Sequence, residues 1–163
     1  MREFCLALIV GLGVGSLGEY WVHRLMHAGK LYAVEHFAHH SLNAPQGWLR
    51  EYWAYICASG LWLVAAGLAA YWFLGTPVAA GWLVGSFGFL AFSAYTHMLY
   101  HIDPNLVFWI RRPIHVFHHE WSARYNFGVT STVWDRMFGT YKDEPKWQRK
   151  PVPLIRVFSV PWL

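Results

Sequence analysis

Ten histidines fall into four groups, and none is left over. "HRLMH" supplies His23 and His27, and "HFAHH" supplies His36, His39 and His40. "HMLYH" supplies His97 and His101, and "HVFHH" supplies His115, His118 and His119. Helix geometry makes these spacings chemical. Residues at i and i+4 are neighbours on one face, so each HxxxH pair can grip one metal ion. In HxxHH, the members at i, i+3 and i+4 share an arc of about 100°. A single histidine is usually a core residue with its polar atoms satisfied, but four matched clusters argue for metal binding. Imidazole suits zinc, copper, iron and nickel, and no thiolate accompanies these groups. Ten ligands exceed what one ion needs, so two ions sharing the set is the economical reading. A structural zinc site is complete with four.

The elements that must carry these groups are apolar. Hydrophobic residues make up 56% of the 163 and charged residues 13%, about half the share of an ordinary soluble protein. The expected fold is an all-α integral membrane protein, one domain over residues 1–163, with about three transmembrane helices and a cytoplasmic histidine-rich helical cap. A bilayer core needs about 20 helical residues. Spans are expected at residues 4–22, 52–74 and 76–100, with a metal-binding cap formed by residues 23–50 and 97–145. "GTP" at residues 75–77 turns the second span into the third as an antiparallel hairpin. Gly11 with Gly15 and Gly81 with Gly85 are small-xxx-small pairs that permit close helix approach. The order span, HxxxH, connector, HxxHH occurs twice, a diverged internal repeat that brings all four clusters to one membrane depth.

Charge sets the expected orientation. Twelve of the thirteen Lys and Arg residues fall in residues 24–50 or 101–163, which three spans put on one side. The positive-inside tendency places that side, with the C-terminus, in the cytoplasm. A cleavable signal peptide is the rival reading of residues 1–20, but the basic flank is weak and no A-x-A site follows. The net charge of +4 suits attraction to anionic lipid, with docking of an acidic protein as the sharper alternative. No basic or aromatic array suggests nucleic acid. Cys5 and Cys57 lie in separate apolar runs and form no zinc motif. A multi-histidine, two-metal site at a membrane interface is better suited to O₂ activation on a lipid than to scaffolding.

Over residues 18–142 the chain resembles the fatty acid hydroxylase/sterol desaturase superfamily of membrane non-haem di-iron enzymes. "EYWVHRLMH" is similar to its first histidine box and "LYAVEHFAHHSLNAP" to its second. "YTHMLYH" is similar to the third box of the fatty acid 2-hydroxylase branch, and "HVFHHEWSARYNFGVTSTVWDRMFGTY" to the closing box and its NFG…WDR.FGT tail. The resemblance implies two iron ions held by the ten histidines, zinc being a substitute on purification, and O₂ as co-substrate for oxidising a lipid C–H bond. It also implies a lipid substrate drawn from the bilayer. The first box is HxxxH where many fatty acid hydroxylases have one more intervening residue. No cytochrome b5 module lies within these 163 residues, so a separate ferredoxin- or cytochrome b5-like electron donor is expected.

Five further residues are candidates for roles around the metals or on the substrate side. Glu19, an acid inside an apolar run, sits one turn before His23 and is expected to hydrogen-bond a ligand imidazole. Asp135 is expected either to orient a histidine or to pair with Arg136 or Arg124. Asn126 and Gly128 either form a turn or touch substrate. Tyr100 either lines the pocket or anchors the helix at the interface. Carotenoid ring or sterol oxidation is the alternative within the superfamily, the HxxxH spacing and "HHSLNAP" favouring sterol. A metal transporter or haem protein is the alternative of another class, but a transporter needs ligands near the midplane rather than gathered at one end. Oligomeric state is left open.

Overall fold

A computed structural model describes residues 1–143 and 147–158. Residues 144 and 145 of the expected cap therefore lie outside the described residues. Among the described residues the chain is helical and has no strand: α1 (Arg2–His27), α2 (Ala33–Leu42), α3 (Trp48–Leu74), α4 (Thr76–Ile102), α5 (Ile114–Glu120) and α6 (Val133–Met137). Short 3-10 turns occupy Pro104–Leu106 and Leu154–Phe158.

Three helices, α1, α3 and α4, are long and apolar enough to cross a membrane. At 27 residues, α3 and α4 are each about 40 Å long, against about 30 Å of bilayer hydrocarbon. The excess matters. The first helix runs past residue 22 to His27 and the third runs past residue 100 to Ile102, so each HxxxH pair is carried on the same rigid rod as its span. The second helix begins at Trp48, four residues before the expected boundary.

Close packing sets the register between rods. A Cβ on Gly81 would lie 2.3 Å from the carbonyl oxygen of Phe4, and one on Gly85 would lie 2.3 Å from that of Leu8. No side chain fits there, so α1 and α4 meet backbone to backbone. Against the other side of α4, α3 packs with the Trp82 indole donating to the carbonyl of Leu63 and the Trp48 indole donating to that of Ala91. The outer faces stay apolar and bare, with Leu61, Trp62, Trp72 and Phe73 each at least three-quarters exposed. That is the surface a lipid solvent would cover.

At the histidine end, α2 follows a turn in which Leu31 and Tyr32 both take positive φ, 40° and 50°. Left-handed backbone costs bulky residues about 1 kcal/mol each, and here it folds α2 back against the end of α1. A small core of Met98, Leu99, Leu106, Ile110, Ile114 and Val129 seats α5 on the end of α4. Beyond α5 the chain returns between α1 and α4, where Val129 and Thr130 meet Glu19 of α1 and Ser93 of α4.

Candidate metal centre

Nine of the ten histidines converge in two groups. His23, His27, His36, His40 and His118 each place a ring nitrogen within 4.8 Å of the others, and His39, His97, His101 and His119 do the same. We call these centre A and centre B. The HxxxH pairs stay whole, the first in A and the second in B. The adjacent doublets split: His40 and His118 turn into A, while His39 and His119 turn into B. Neighbouring residues on a helix point about 100° apart, so a doublet lying between two centres serves both. The centres abut where the rings of His40 and His119 stack, 3.9 Å between centroids.

The tenth histidine, His115, falls just outside B. Exchanging the two halves of the internal repeat maps the members of A onto His97, His101, His115, His119 and His39. His115 is thus the repeat's counterpart of His36. Its ring lies 4.6 Å from that of His119 and 4.7 Å from that of His97, and both of its nitrogens are buried without partners.

The nitrogens are set up as lone-pair donors. His23 Nδ1 donates to the carbonyl of Phe127 and His118 Nδ1 to that of Tyr125, each at 2.6 Å. A carbonyl only accepts, so each of these rings, when neutral, offers its Nε2 lone pair. Burial pushes the His36, His39, His115, His118 and His119 imidazoles well below their ordinary value, with neighbouring histidines adding to it. His40 is lowered to about 4, first by burial and then by His27 and His97. These rings are neutral near pH 7. Yet Nε2 of His27 lies 2.8 Å from Nε2 of both His36 and His118, and Nε2 of His36 lies 3.1 Å from that of His40. One N–H can serve one of these neighbours, not all. The Nε2 atoms of His23 and His101 and both nitrogens of His119 are also buried without partners. Buried polar atoms without partners are costly; a cation in each centre satisfies the whole set. The residues fit a pair of imidazole-bound transition-metal ions.

What holds the rings differs between the centres. In A the acceptors are backbone carbonyls of residues 125 and 127, and that segment is clamped from two directions. Glu19 accepts from the backbone N–H groups of Val129 (2.7 Å) and Thr130 (3.1 Å) and from the Ser93 hydroxyl (2.6 Å). Asp135 accepts from the N–H groups of Phe127 (2.9 Å) and Gly128 (2.8 Å) and from the Thr140 hydroxyl (2.7 Å). Burial raises the Asp135 carboxyl above its ordinary value, and these donors oppose the shift.

Both acids therefore act differently from expectation. Glu19 hydrogen-bonds no imidazole: His23, one turn on, has already given its Nδ1–H to Phe127, and the backbone N–H groups of Val129 and Thr130 take the carboxylate. Asp135 pairs with neither Arg124 nor Arg136, which stay exposed while it is fully buried. It reaches His23 only through Phe127. Asn126 forms the turn, at φ +59°, with its amide bonded both ways to the Lys142 backbone. Gly128 is required by space, since a Cβ there would lie 2.3 Å from the Ser131 carbonyl oxygen. Tyr100 is no surface anchor. It is 3% exposed, lies 5.4 Å from the His115 ring, and borders a 160 Å³ cavity shared with His101, His115 and His119.

In B the holding groups are side chains, and sequence reasoning missed them. His97 Nδ1 donates to the buried Glu51 carboxylate at 2.5 Å. The Gln46 amide lies 3.2 Å from His39 Nδ1; an amide can present its oxygen to an N–H as readily as its nitrogen to a lone pair. Glu51 stands one residue before the expected start of the second span, in the first turn of α3. An acid at the mouth of an uncharged run was the available signal.

An apolar cleft of about 310 Å³ opens beside both centres. Val22 and Met26 of α1 and Trp53, Ala54 and Cys57 of α3 line it together with His23, His36, His39 and His97. Arg50, Glu35 and Tyr32 line it as well.

Comparison with known proteins gives a consistent picture. The fatty acid hydroxylase family matches residues 8–140. The ceramide very long chain fatty acid hydroxylase SCS7 of Saccharomyces cerevisiae is 30% identical over 151 residues, covering 84% of this chain and 38% of that protein. Methylsterol monooxygenase 1 of Danio rerio is 30% identical over 146 residues, 84% of this chain and 47% of that protein. The ornithine lipid hydroxylase OlsE of Rhizobium tropici is 25% identical over 149 residues, 85% of this chain and 43% of that protein. The chain spans less than half the length of these relatives. No solved structure matches.

Proposed function

The chain belongs to the fatty acid hydroxylase family, and from that premise we propose that it is an integral membrane, O₂-dependent di-iron hydroxylase that oxidises a C–H bond of a lipid, most simply an acyl chain. The observation that carries this reading is the apolar cleft between α1 and α3 that is lined by histidines from both centres. A cleft with apolar walls and metal-binding residues in its lining suits a hydrocarbon chain better than a polar metabolite.

Iron bound by the two histidine groups, with zinc as a substitute on purification, would supply the activation of O₂. The balance requires one O₂, two electrons and two protons: one oxygen atom enters the C–H bond and the other leaves as water. A separate reduced carrier of the ferredoxin or cytochrome b5 type provides the electrons. The chain's own residues do the positioning. Phe127, Tyr125 and Glu51 hold the Nδ1–H groups so that Nε2 lone pairs face inward. Val22, Met26, Trp53 and Ala54 hold the chain and keep water out. Arg50 and Glu35, which also line the cleft, meet the headgroup. The oxidised carbon is then near the headgroup, and the histidine end faces the cytoplasm, a reading supported by the basic residues gathered at that end.

Lipid profiling of a host expressing the wild-type protein or His118→Ala, grown under ¹⁸O₂, tests this reading. A labelled hydroxy-lipid seen only with the wild type, with label at carbons close to the headgroup, is the expected result. Identical profiles would remove the enzyme assignment, and label mainly at mid-chain would remove the positional one. Sterol oxidation is the second reading, favoured because the methylsterol monooxygenase matches as much of this chain, at the same identity, as the ceramide hydroxylase. Label confined to sterols would select it.

A further inference from the structure

Away from both centres, the tail builds a second basin of about 260 Å³. Among the described residues three arginines line it, Arg111, Arg112 and Arg136, against one carboxylate, Asp143. Ser131 and Thr132 add hydroxyls, and Trp109 forms part of the wall. Arg112 already meets Asp143 at 2.6 Å, so the basin holds an oxyanion of its own on one guanidinium. Arg136 is oriented by the Tyr141 ring, 3.9 Å beneath its guanidinium carbon, and by the Thr132 hydroxyl at 3.3 Å. The Trp109 Nε1–H, shielded from solvent, has no partner. Arg111, Arg136, the hydroxyls and an unused indole N–H are donors that the Asp143 carboxylate, already on Arg112, does not saturate.

The basin's depth along the bundle narrows the ligand. Trp109 packs on Phe92 of α4 at 5.3 Å, ten residues before that helix ends at Ile102, or about 15 Å along it. On the α1 side, the Trp134 indole donates to the Ser16 hydroxyl at 2.9 Å. Phe108, Val133 and Met137 flank the basin and are more than half exposed. Arginines set among bare apolar side chains, beside helices long enough to span a bilayer, are placed where headgroups lie.

We propose that the basin walled by Trp109, Arg111, Arg112 and Arg136 binds a phosphate-class oxyanion, presented in the membrane by an anionic phospholipid headgroup. The site is separate from the cleft beside the histidines: Thr130 lines the basin and its neighbour Val129 lines the cleft, so one strand of backbone divides them. It takes a resident lipid rather than the substrate, and its failure would leave the hydroxylase reading untouched.

Native mass spectrometry of the full chain in neutral detergent tests this, with phosphatidylglycerol or phosphatidylcholine added and inorganic phosphate as a separate arm. Wild-type protein is expected to retain phosphatidylglycerol about tenfold better than phosphatidylcholine, as loss or gain of a charge-assisted hydrogen bond implies. Arg111→Gln with Arg136→Gln should erase that preference. Trp109→Phe, which removes the indole N–H while keeping an aromatic ring, should weaken it several-fold, and Asp143→Asn should strengthen it by removing the competing carboxylate. These two single variants decide the matter if the double variant fails to fold. Arginine-dependent binding of inorganic phosphate without phosphatidylglycerol would uphold the oxyanion site and overturn the lipid as its source. Equal retention of both lipids by the wild type, or an unchanged preference in the variants, would overturn the site.

Discussion

Centres A and B contain the same ligand type from the same pair of motifs, yet they are held by different means. A's rings lean on backbone carbonyls, which two buried carboxylates fix at one remove. B's rings lean directly on a carboxylate and an amide from α3 and the turn before it. One centre's acceptors are peptide carbonyls and the other's include a carboxylate, so the rings of the two centres are oriented by different chemistry. The internal repeat therefore has two chemically unequal halves. B is tuned by a side chain. A is tuned by the fold of the tail.

Breaking A's support should have the largest effect. Glu19→Ala removes the acceptor of two backbone N–H groups and two hydroxyls, all buried. Bonds to a charged group are each worth about 1.5–3 kcal/mol, so a loss of at least about 3 kcal/mol is expected. Unfolding in detergent measures it, and hydroxy-lipid output should fall with it. Stability unchanged within about 0.5 kcal/mol would mean the clamp does not hold the tail. Glu51→Gln should act differently. It keeps the shape and removes the charge, and its expected result is a tenfold to hundredfold loss of metal affinity confined to B. Chelator titration followed by metal analysis should show one half of the metal leaving early. Simultaneous loss of both halves would erase the distinction between the centres.

The comparison also explains what could be read from sequence. The convergence of nine histidines, the three long helices and the glycine contact were legible because each is periodic: spacing on a helix fixes direction, and Gly81 and Gly85 repeat at the contact interval. The split of the doublets between centres was latent in the repeat. The supporting residues were not legible, because they depend on contacts far apart in the chain. Glu19 meets residues 110 and 111 positions away, and Glu51 meets His97 from 46 away. Local spacing aimed Glu19 at His23, while the tertiary fold supplied better donors.

A third, smaller effect concerns the distance between the centres, since A is built mainly on α1 with α2 and B mainly on α4. Gly85→Ala drives a Cβ to within 2.3 Å of the Leu8 carbonyl oxygen, so α1 must move off α4 at a cost of about 1–3 kcal/mol. Gly88→Ala, with nothing within 4 Å of its added Cβ, should cost nothing and add about 0.5–1 kcal/mol of helix stability. Metal content should fall in the first variant and hold in the second. An equal response would show that the α1–α4 approach does not set the spacing.

The smallest effect is expected from protons, and it bears on A. His40 is lowered from 6.5 to about 4, chiefly by burial. A buried neutral base binds fewer protons folded than unfolded, so metal-free protein should be most stable above about pH 6.5 and lose stability as pH falls toward about 4. His40→Gln, which cannot take up that proton, should flatten the slope between pH 6.5 and 4 in metal-free protein. Metal should flatten it too, since a bound cation competes with the proton for the same lone pair. A slope that metal leaves unchanged would mean that His40 faces away from the ion, and that centre A holds it with four rings, as many as converge in B.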